Sequence, residues 1–292
     1  MVTAGSQRAD RAFRVTPGSA VDLDTIDPGA RPIGPDRKAD AAADLKRIGA
    51  ELDTLQEALF AQGVHGGERR VLLVLQGMDT SGKGGVIRHV AGLVNPQGLH
   101  IASFKKPTPA ELRHHFLWRI KRQVPAPGRI GVFDRSHYED VLVARVNKLV
   151  EPAEWRERYA QINAFEADMV QRHAVTIVKC FLHISTHEQY ERLLARLDDP
   201  AKRWKYNPDD VDVRGKWNDY QCAYAEAIER CGTEAAPWCV IPSDRKWYRN
   251  WAIAALLLAT LRDLDPQFPR PDFDVAAERA RLEACRVPPP AG

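Results

Sequence analysis

A glycine-rich stretch beginning at Gly77 has the residue types and the spacing of a phosphate-binding loop. Gly77 is followed after four residues by Gly82 and Lys83, and an apolar run, 71–76, comes directly before it. Glycines let successive backbone N–H groups point inward, and a lysine beside them adds positive charge for phosphate oxygens. A purely structural turn is the alternative, but the strand and helix patterns on either side favour phosphate binding. The predicted phosphate-binding residues are Gly77, Thr80, Ser81, Gly82, Lys83, Gly84 and Gly85.

Two departures from the common loop pattern bear on how a metal ion would be held. Gly84 stands where a serine or threonine hydroxyl usually binds Mg²⁺, and Asp79 places a carboxylate inside the loop. A carboxylate beside a bound phosphate needs a cation between the two anions, so Asp79 is a candidate Mg²⁺ ligand or proton acceptor. The alternative is that Asp79 only caps the following helix.

A second acidic residue ends another apolar run. Residues 130–133 are followed by Asp134 and Arg135, which is the form of a Walker B strand. Because parallel strands end at one edge of a sheet, Asp134 is predicted to lie beside the loop and to hold Mg²⁺ directly or through water. Arg135 can donate paired hydrogen bonds to a phosphate. Glu139 and Asp140 begin the next helix, and the helix dipole is sufficient to explain Asp140.

Basic residues are concentrated in two segments, although the net charge is only +3, from 42 Lys/Arg and 39 Asp/Glu. That balance argues against a protein that coats nucleic acid. Residues 103–122 carry six Lys/Arg against one acid, and residues 192–217 carry seven against five acids, with Trp204, Tyr206 and Trp217 among them. Each segment alone fits a solvated surface, but two of them beside a phosphate loop favour an extended anionic ligand. The second lies between two helical patterns, where a mobile lid would sit.

The rest of the pattern indicates the elements that must position these residues. Apolar runs that alternate with helical spacing and lack polar alternation predict a parallel sheet buried on both faces. We therefore expect a three-layer α/β/α fold with about five parallel strands. Residues 1–36 are predicted as an extended N-terminal arm, 37–286 as a single domain with a lid at about 198–217, and 287–292 as a disordered tail. The predicted strands are 71–76, 99–104, 130–133, 175–184 and 238–241, and the predicted helices are 37–62, 83–94, 109–123, 138–150, 153–173, 187–197, 210–231 and 246–261.

The composition is that of a globular protein. Of the 292 residues, 44% are hydrophobic and 28% are charged, which excludes a mostly disordered chain. The longest apolar run, 251–261, is too short to cross a bilayer, and no N-terminal secretion signal is recognisable. The five cysteines are scattered and odd in number, so a zinc site or disulfide framework is disfavoured and a reducing cytoplasm is expected.

Five ordered motifs resemble the second family of polyphosphate kinases, the polyphosphate:nucleotide phosphotransferases, over roughly residues 40–265. The resemblance implies a P-loop-kinase-like fold with a helical lid. It also implies a Mg²⁺-dependent transfer of phosphoryl groups from inorganic polyphosphate to nucleoside mono- or diphosphates, and a homodimer or homotetramer. The motifs are Gly77–Gly85, Lys105–Glu111, Asp134–Val143, Asp199–Lys205 and the pair Trp217 and Tyr220.

The resemblance also implies roles for individual residues. Asp79 and Asp134 would organise Mg²⁺ and the acceptor phosphate, while the lid's Arg196 would help to neutralise the transferring group. The stretch Ser136–Asp140 resembles the subgroup that accepts both AMP and ADP, although that subgroup often has asparagine at the position of Asp134. The predicted catalytic residues are Asp79, Lys83, Asp134, Arg135, Glu139 and Arg196. The predicted channel for polyphosphate or nucleotide is lined by Lys105, Lys106, Arg113, Arg119, Arg122, Lys202, Lys205 and Arg214.

The expected chemistry is direct in-line transfer without a phosphoenzyme, since no histidine has the surroundings of a nucleophile while Lys and Arg are abundant. One alternative is an ATP-dependent nucleotide kinase of the thymidylate-kinase type, against which Gly84 and Asp79 count. A second alternative is a non-catalytic scaffold that binds polyanions or nucleotides. The formation of ATP from ADP with polyphosphate as sole donor would separate the first alternative, and turnover of any nucleotide would exclude the second.

Overall fold

Five parallel strands form the centre of the structure, a computed structural model that describes residues 6–286. The sheet order is β2-β3-β1-β4-β5, so the strand before the phosphate loop lies in the middle, between β3 and β4. All five predicted strands are confirmed. Their bounds are β1 Arg70–Gln76, β2 Leu99–Ser103, β3 Ile130–Asp134, β4 Val175–His183 and β5 Trp238–Pro242.

Helices cover both faces of the sheet, as the continuous apolar runs predict. Along β1, Leu73 and Leu75 belong to one hydrophobic core, whereas Leu72 and Val74 belong to the core on the opposite face. The three-layer α/β/α arrangement is therefore confirmed. The helices of the described residues are α1 Ser6–Phe13, α2 Lys38–Val64, α3 Lys83–His89, α4 Leu117–Lys121, α5 Glu139–Val146, α6 Pro152–His173, α7 Thr186–Asp198, α8 Asp209–Gly215, α9 Trp217–Cys231, α10 Lys246–Leu264 and α11 Val275–Ala284.

The predicted helix 83–94 is divided into α3 and the 3-10 turn Ala91–Leu93, and two further segments predicted as single helices are interrupted. The segment 210–231 forms α8 and α9, because Lys216 after Gly215 leaves the helical conformation. The segment 109–123 contains only the 3-10 turn Glu111–Arg113 and the short α4, with His114 extended between them. Both interruptions lie in the two basic segments, so these segments form bent surfaces and not straight helices.

The N-terminal arm is not extended throughout, which corrects that prediction. Its first described element is helix α1, whose Phe13 is buried against α10. Further along, Val15 N–H donates to Trp238 O at the edge strand β5, and the Tyr248 hydroxyl donates to Ile33 O at 2.8 Å. Gly34 has φ +82° and lies so close to the Trp251 ring that a Cβ atom could not fit. The arm is thus packed along the domain, while the predicted tail 287–292 lies outside the described residues.

Helix α11 was not predicted, and none of its residues is buried. Among the described residues, no helix combines the length and the apolarity that a membrane span requires.

Candidate active site

Arg249 of α10 packs closely against the glycines of the phosphate loop. Gly82 has φ +114°, and a Cβ atom there would lie 1.7 Å from Arg249 Nη1 of α10. Only glycine fits both the backbone angle and the approach of this arginine. Gly84, in contrast, has open space beside its Cα atom, so steric crowding does not explain the missing hydroxyl at that position.

Lys83 folds back over the loop that precedes it. Its side chain is buried, and Nζ donates to Gly77 O at 2.7 Å and to Met78 O at 3.3 Å. Burial lowers the pKa of Lys83, although the charge of Asp79 opposes this effect. The lysine therefore places a positive charge at the centre of the loop.

Asp79 and Arg135 form the ion pair that joins the loop to the end of β3. Arg135 Nη2 donates to Asp79 Oδ1 at 2.6 Å, and Arg135 Nη1 lies 3.9 Å from Glu139 Oε2. Burial alone would raise the pKa of Asp79, but the positive charges of Lys83 and Arg135 outweigh it and hold the pKa below its usual value. Arg135 itself has φ +63°, a strained backbone of the kind found at functional sites. Asp79 is thus an ionised partner of Arg135 in the structure, and the helix-capping alternative finds no hydrogen bond to support it among the described residues.

Two further carboxylates complete this charged group. Asp134 ends β3, is partly exposed, and its side chain makes no hydrogen bond or ion pair with any described residue. Burial raises the pKa of Glu139 above its usual value, while Arg135 and Lys83 oppose that rise. We call Asp79, Lys83, Asp134, Arg135 and Glu139 the open cluster. It lies at the carboxyl edge of the sheet, where ligands of parallel sheets bind.

Two arginines that were not predicted as site residues support the loop from behind. Arg192 of α7 donates to Thr80 O and Ser81 O at 2.9 and 3.1 Å, and Arg249 donates to Ser81 O at 3.0 Å. Both side chains are buried. Arg192 counted among the basic residues of the second segment, but nothing in its sequence position separates it from Arg196, one helical turn later.

The loop hydroxyls have a different environment from the loop carbonyls. Thr80 Oγ1 and Ser81 Oγ are buried and have no hydrogen-bond partner among the described residues. Buried hydroxyls are normally paired in native proteins, so these two are available to a ligand in the loop. Thr80 also has φ +63°, as Arg135 does.

Asp210 of α8 is the acidic residue that sequence reasoning missed. Arg196 Nη1 lies 3.3 Å from Asp210 Oδ2 and 2.9 Å from Lys205 O, so it joins α7 to the predicted lid. Burial and the negative charge of Asp79 raise the pKa of Asp210 to about 6. The positive charge of Arg196 also lowers the pKa of Asp79, so this arginine of α7 lies near the open cluster.

A second charged group lies on the other side of the loop 134–139, inside the core. Lys179 Nζ donates to Glu166 Oε2 at 2.5 Å, to the Tyr138 hydroxyl at 2.8 Å and to Cys231 O at 2.7 Å. His137 Nε2 lies 3.1 Å from Glu166 Oε1. We call His137, Tyr138, Glu166 and Lys179 the sealed cluster, since their side chains are all buried. His137 is thereby a structural residue.

The predicted channel residues fall into two groups. Arg119 and Arg214 are engaged within the protein: Arg119 is buried and donates to Lys105 O at 2.8 Å, and Arg214 donates to Thr186 O at 2.8 Å. These two side chains are therefore not freely accessible, although the sequence predicted them to line a channel. The side chains that remain exposed, and so accessible to an anionic ligand, are Lys105, Lys106, Arg113, Arg122, Lys202 and Lys205.

Comparison with known proteins identifies the fold family of this site. Residues 36–269 match the family model of polyphosphate kinase 2. The chain belongs to the polyphosphate kinase 2 family. The matched range contains the loop, the open cluster and the lid, and it ends within a few residues of α10.

Individual members of the polyphosphate kinase 2 family are similar over nearly the whole chain. An AMP/ADP-polyphosphate phosphotransferase from Meiothermus ruber is 44% identical over 273 residues, which cover 94% of this chain and 100% of that protein. An ADP-polyphosphate phosphotransferase from Rhodopseudomonas palustris is 38% identical and covers 89% of this chain and 92% of its own length. The crystal structure of polyphosphate kinase 2 from Arthrobacter aurescens TC1 has a TM-score of 0.91 and 48% identity, and covers 94% of this chain and 96% of that chain.

Proposed function

We propose that this protein transfers the terminal phosphoryl group of inorganic polyphosphate to a nucleoside mono- or diphosphate, converting AMP to ADP and ADP to ATP. The bond between the terminal phosphorus and its bridging oxygen breaks, and the same phosphorus forms a bond to an acceptor phosphate oxygen. The polymer becomes one phosphate shorter. The names of the similar proteins support both acceptors.

The observation that carries the proposal is the set of cations around the loop. The positive charges of Lys83, Arg135 and Arg196 all lower the pKa of Asp79. These residues come from the loop, the end of β3 and α7, respectively. Phosphoryl transfer needs positioning and charge neutralisation on the equatorial oxygens more than covalent chemistry by the protein. Three cations from separate elements are suited to that task, and Arg196 is joined to the predicted lid through Lys205 and Asp210.

Mg²⁺ is part of the proposal, and the donor set fits it. Among residues 6–286, no three His, Cys, Asp or Glu side chains are grouped to hold a metal by themselves. Mg²⁺ is commonly held by one or two carboxylates together with substrate phosphates, and such a site needs no larger protein cage. Asp134, whose side chain makes no hydrogen bond or ion pair with a described residue, and Asp79, which is paired with Arg135, would hold the ion. When bound, it would offset negative charge on the phosphates.

Direct transfer without a phosphoenzyme is supported by the histidine near the open cluster. His137 is buried against Glu166 in the sealed cluster and does not reach solvent.

The ATP-dependent kinase alternative shares the loop and the Asp134–Arg135 pair. The names of the similar proteins favour polyphosphate as donor over that alternative.

Product analysis with AMP, polyphosphate and Mg²⁺ tests the proposal. We expect ADP to appear first and ATP second, with no nucleoside triphosphate added. ADP alone would restrict the activity to the monophosphate step. Formation of neither product would contradict the proposed function.

Two broader assignments accompany the proposal. A cytoplasmic location is supported by the five cysteines, which are odd in number and scattered along the sequence. A homodimer or homotetramer is the expected assembly, in keeping with the family. One face of helix α2 packs on α10 within the chain, so its exposed face is the part left for a partner.

A further inference from the structure

Arg249 of α10 carries a buried positive charge that no carboxylate offsets within the described part of the chain. Its side chain is 3% exposed. Nη1 donates to Ser81 O at 3.0 Å, and Nε and Nη2 donate to Asn250 Oδ1 at 3.2 and 2.8 Å. Both acceptors are neutral groups, and a buried charge is costly unless an opposite charge is added to its hydrogen bonds. The guanidinium group thus has hydrogen-bond partners but no counter-charge.

Arg192 of α7 also supports the loop, but its charge is offset. Nε donates to Glu188 Oε1 at 2.7 Å, and the two Nη atoms donate to backbone carbonyls of the loop and of residues 243–244. The charged neighbour of Arg249 is Arg192 itself, and burial together with that positive charge lowers the pKa of Arg249 to about 9. Of the two arginines behind the loop, Arg249 is therefore the one without a negative partner among the described residues.

The Arg249 guanidinium group lies directly against the backbone of the phosphate loop. A Cβ atom at Gly82 would lie 1.7 Å from Nη1, and one at Gly85 would lie 2.6 Å from Nη2. Because Nη1 binds the carbonyl of Ser81, Arg249 holds the loop by a carbonyl oxygen, whereas phosphate-binding loops use their N–H groups for the ligand. Only the loop backbone therefore separates this charge from a phosphate group held by the loop.

Other charges at the loop are already offset by neighbours. Asp79 is paired with Arg135, and the negative charge of Asp79 also acts on Lys83. A phosphate group in the loop would bring new negative charge close to Arg249. Opposite charges attract strongly in a buried site, even without direct contact, because little water screens them. Phosphate binding would thus supply the counter-charge that Arg249 lacks.

We propose that Arg249 is a positioning residue of the phosphate site, and that its charge behind the loop is offset by the phosphate group that the loop binds. This role rests on the proposed function, in which polyphosphate is a ligand of the loop. Arg249 acts on that ligand through the loop and does not touch it. Arg192, whose charge is paired with Glu188, holds the loop in shape without this electrostatic role.

Two substitutions of Arg249 separate its charge from its hydrogen bonds. Arg249→Met removes both, whereas Arg249→Lys keeps the charge and loses the planar set of donors. Arg262→Met is the control, because Arg262 lies on the same helix and is paired with Glu51 of α2. In calorimetric titration with inorganic tripolyphosphate and Mg²⁺, we expect Arg249→Met to raise the Kd about tenfold or more and Arg249→Lys to raise it less than about threefold. Arg262→Met should leave the Kd unchanged.

Melting temperatures without and with tripolyphosphate complete the test. Without it, Arg249→Met should melt no lower than Arg249→Lys, because the charge that lysine keeps has no partner; with it, Arg249→Lys should gain more. An unchanged Kd in Arg249→Met, an equal rise of the Kd in both Arg249 variants, or a ligand-free Arg249→Met that melts below Arg249→Lys would overturn the role of the charge. Failure of the wild type to bind tripolyphosphate would overturn it as well. Tripolyphosphate binding that Arg249→Met weakens and Arg249→Lys preserves, without turnover in the wild type, would overturn the proposed function alone.

Discussion

The loop 134–139 separates two charged clusters that differ in how completely their charges are satisfied. In the sealed cluster, Lys179 and Glu166 are 0% and 1% exposed, and the Lys179 ammonium group has three hydrogen-bond partners. In the open cluster, Arg135 is 36% exposed and Asp134 has no partner among the described residues. The loop 134–139 contributes to both clusters, with Asp134, Arg135 and Glu139 in the open one and His137 and Tyr138 in the sealed one. The neighbouring elements also differ, because α6 and α9 supply Glu166 and the Cys231 carbonyl to the sealed cluster, whereas Asp79 and Lys83 of the open cluster come from the phosphate loop.

The comparison indicates what each cluster does. A buried ion pair offsets the cost of its desolvation only when its geometry is good and further hydrogen bonds satisfy its remaining groups. The sealed cluster fixes Tyr138 and His137, and so the backbone between Arg135 and Glu139. In the open cluster, the Asp134 carboxylate makes no hydrogen bond or ion pair with a described residue, so a ligand can use it.

The largest expected effect is on catalysis by the open cluster. Lys83→Ala or Asp134→Ala should lower the rate by about a hundredfold or more, because each removes a charge aimed at the transferring group or its metal. The circular dichroism spectrum should stay unchanged. Lys46→Ala on the exposed face of α2 is the control and should keep the wild-type rate. Retention of more than about a tenth of the wild-type activity in either open-cluster variant would remove its assigned role.

Substitutions in the sealed cluster should lower the free energy of unfolding. Lys179→Met leaves Glu166 buried without its main partner, so we expect the free energy of unfolding to fall by about 3–5 kcal/mol. Urea denaturation measures this change, and the double variant Lys179→Met/Glu166→Leu should lose less than the two single variants together. A loss below about 1 kcal/mol in Lys179→Met would show that the cluster is less tightly coupled than its geometry indicates.

The smallest expected effect concerns Asp210, which belongs to neither the open nor the sealed cluster. Its pKa in the folded protein is about 6, above the ordinary value of 3.8, so its ionisation opposes folding. The stability that its protonated form contributes is present below about pH 4 and is lost as the pH rises through 6. Asp210→Asn should therefore raise the melting temperature relative to the wild type by more at pH 8 than at pH 5. An equal difference at the two pH values would contradict the raised pKa.

Much of the fold followed from local patterns in the sequence. Continuous apolar runs such as 71–76 predicted buried parallel strands, because both faces of β1 lie in hydrophobic cores. The loop and the acid after β3 were recognisable because glycine spacing and a strand-end carboxylate are local features. The break between α8 and α9 was not predicted, since Gly215 alone does not end a helix whose apolar spacing continues.

The parts of the site that the sequence did not reveal depend on packing between distant elements. Arg192 and Arg196 are one turn apart on α7, yet the first supports loop carbonyls and the second contacts the lid. Asp210 joined the site only because α8 turns toward Arg196.

The central claim is that the open cluster transfers phosphoryl groups from polyphosphate. Its most direct test is to supply ADP and Mg²⁺ with polyphosphate as the sole donor and to follow ATP in the wild type and in Lys83→Ala. We predict that the wild type forms ATP as polyphosphate shortens, and that Lys83→Ala forms almost none. ATP formation that needs another nucleoside triphosphate, or that continues equally in Lys83→Ala, would contradict the account.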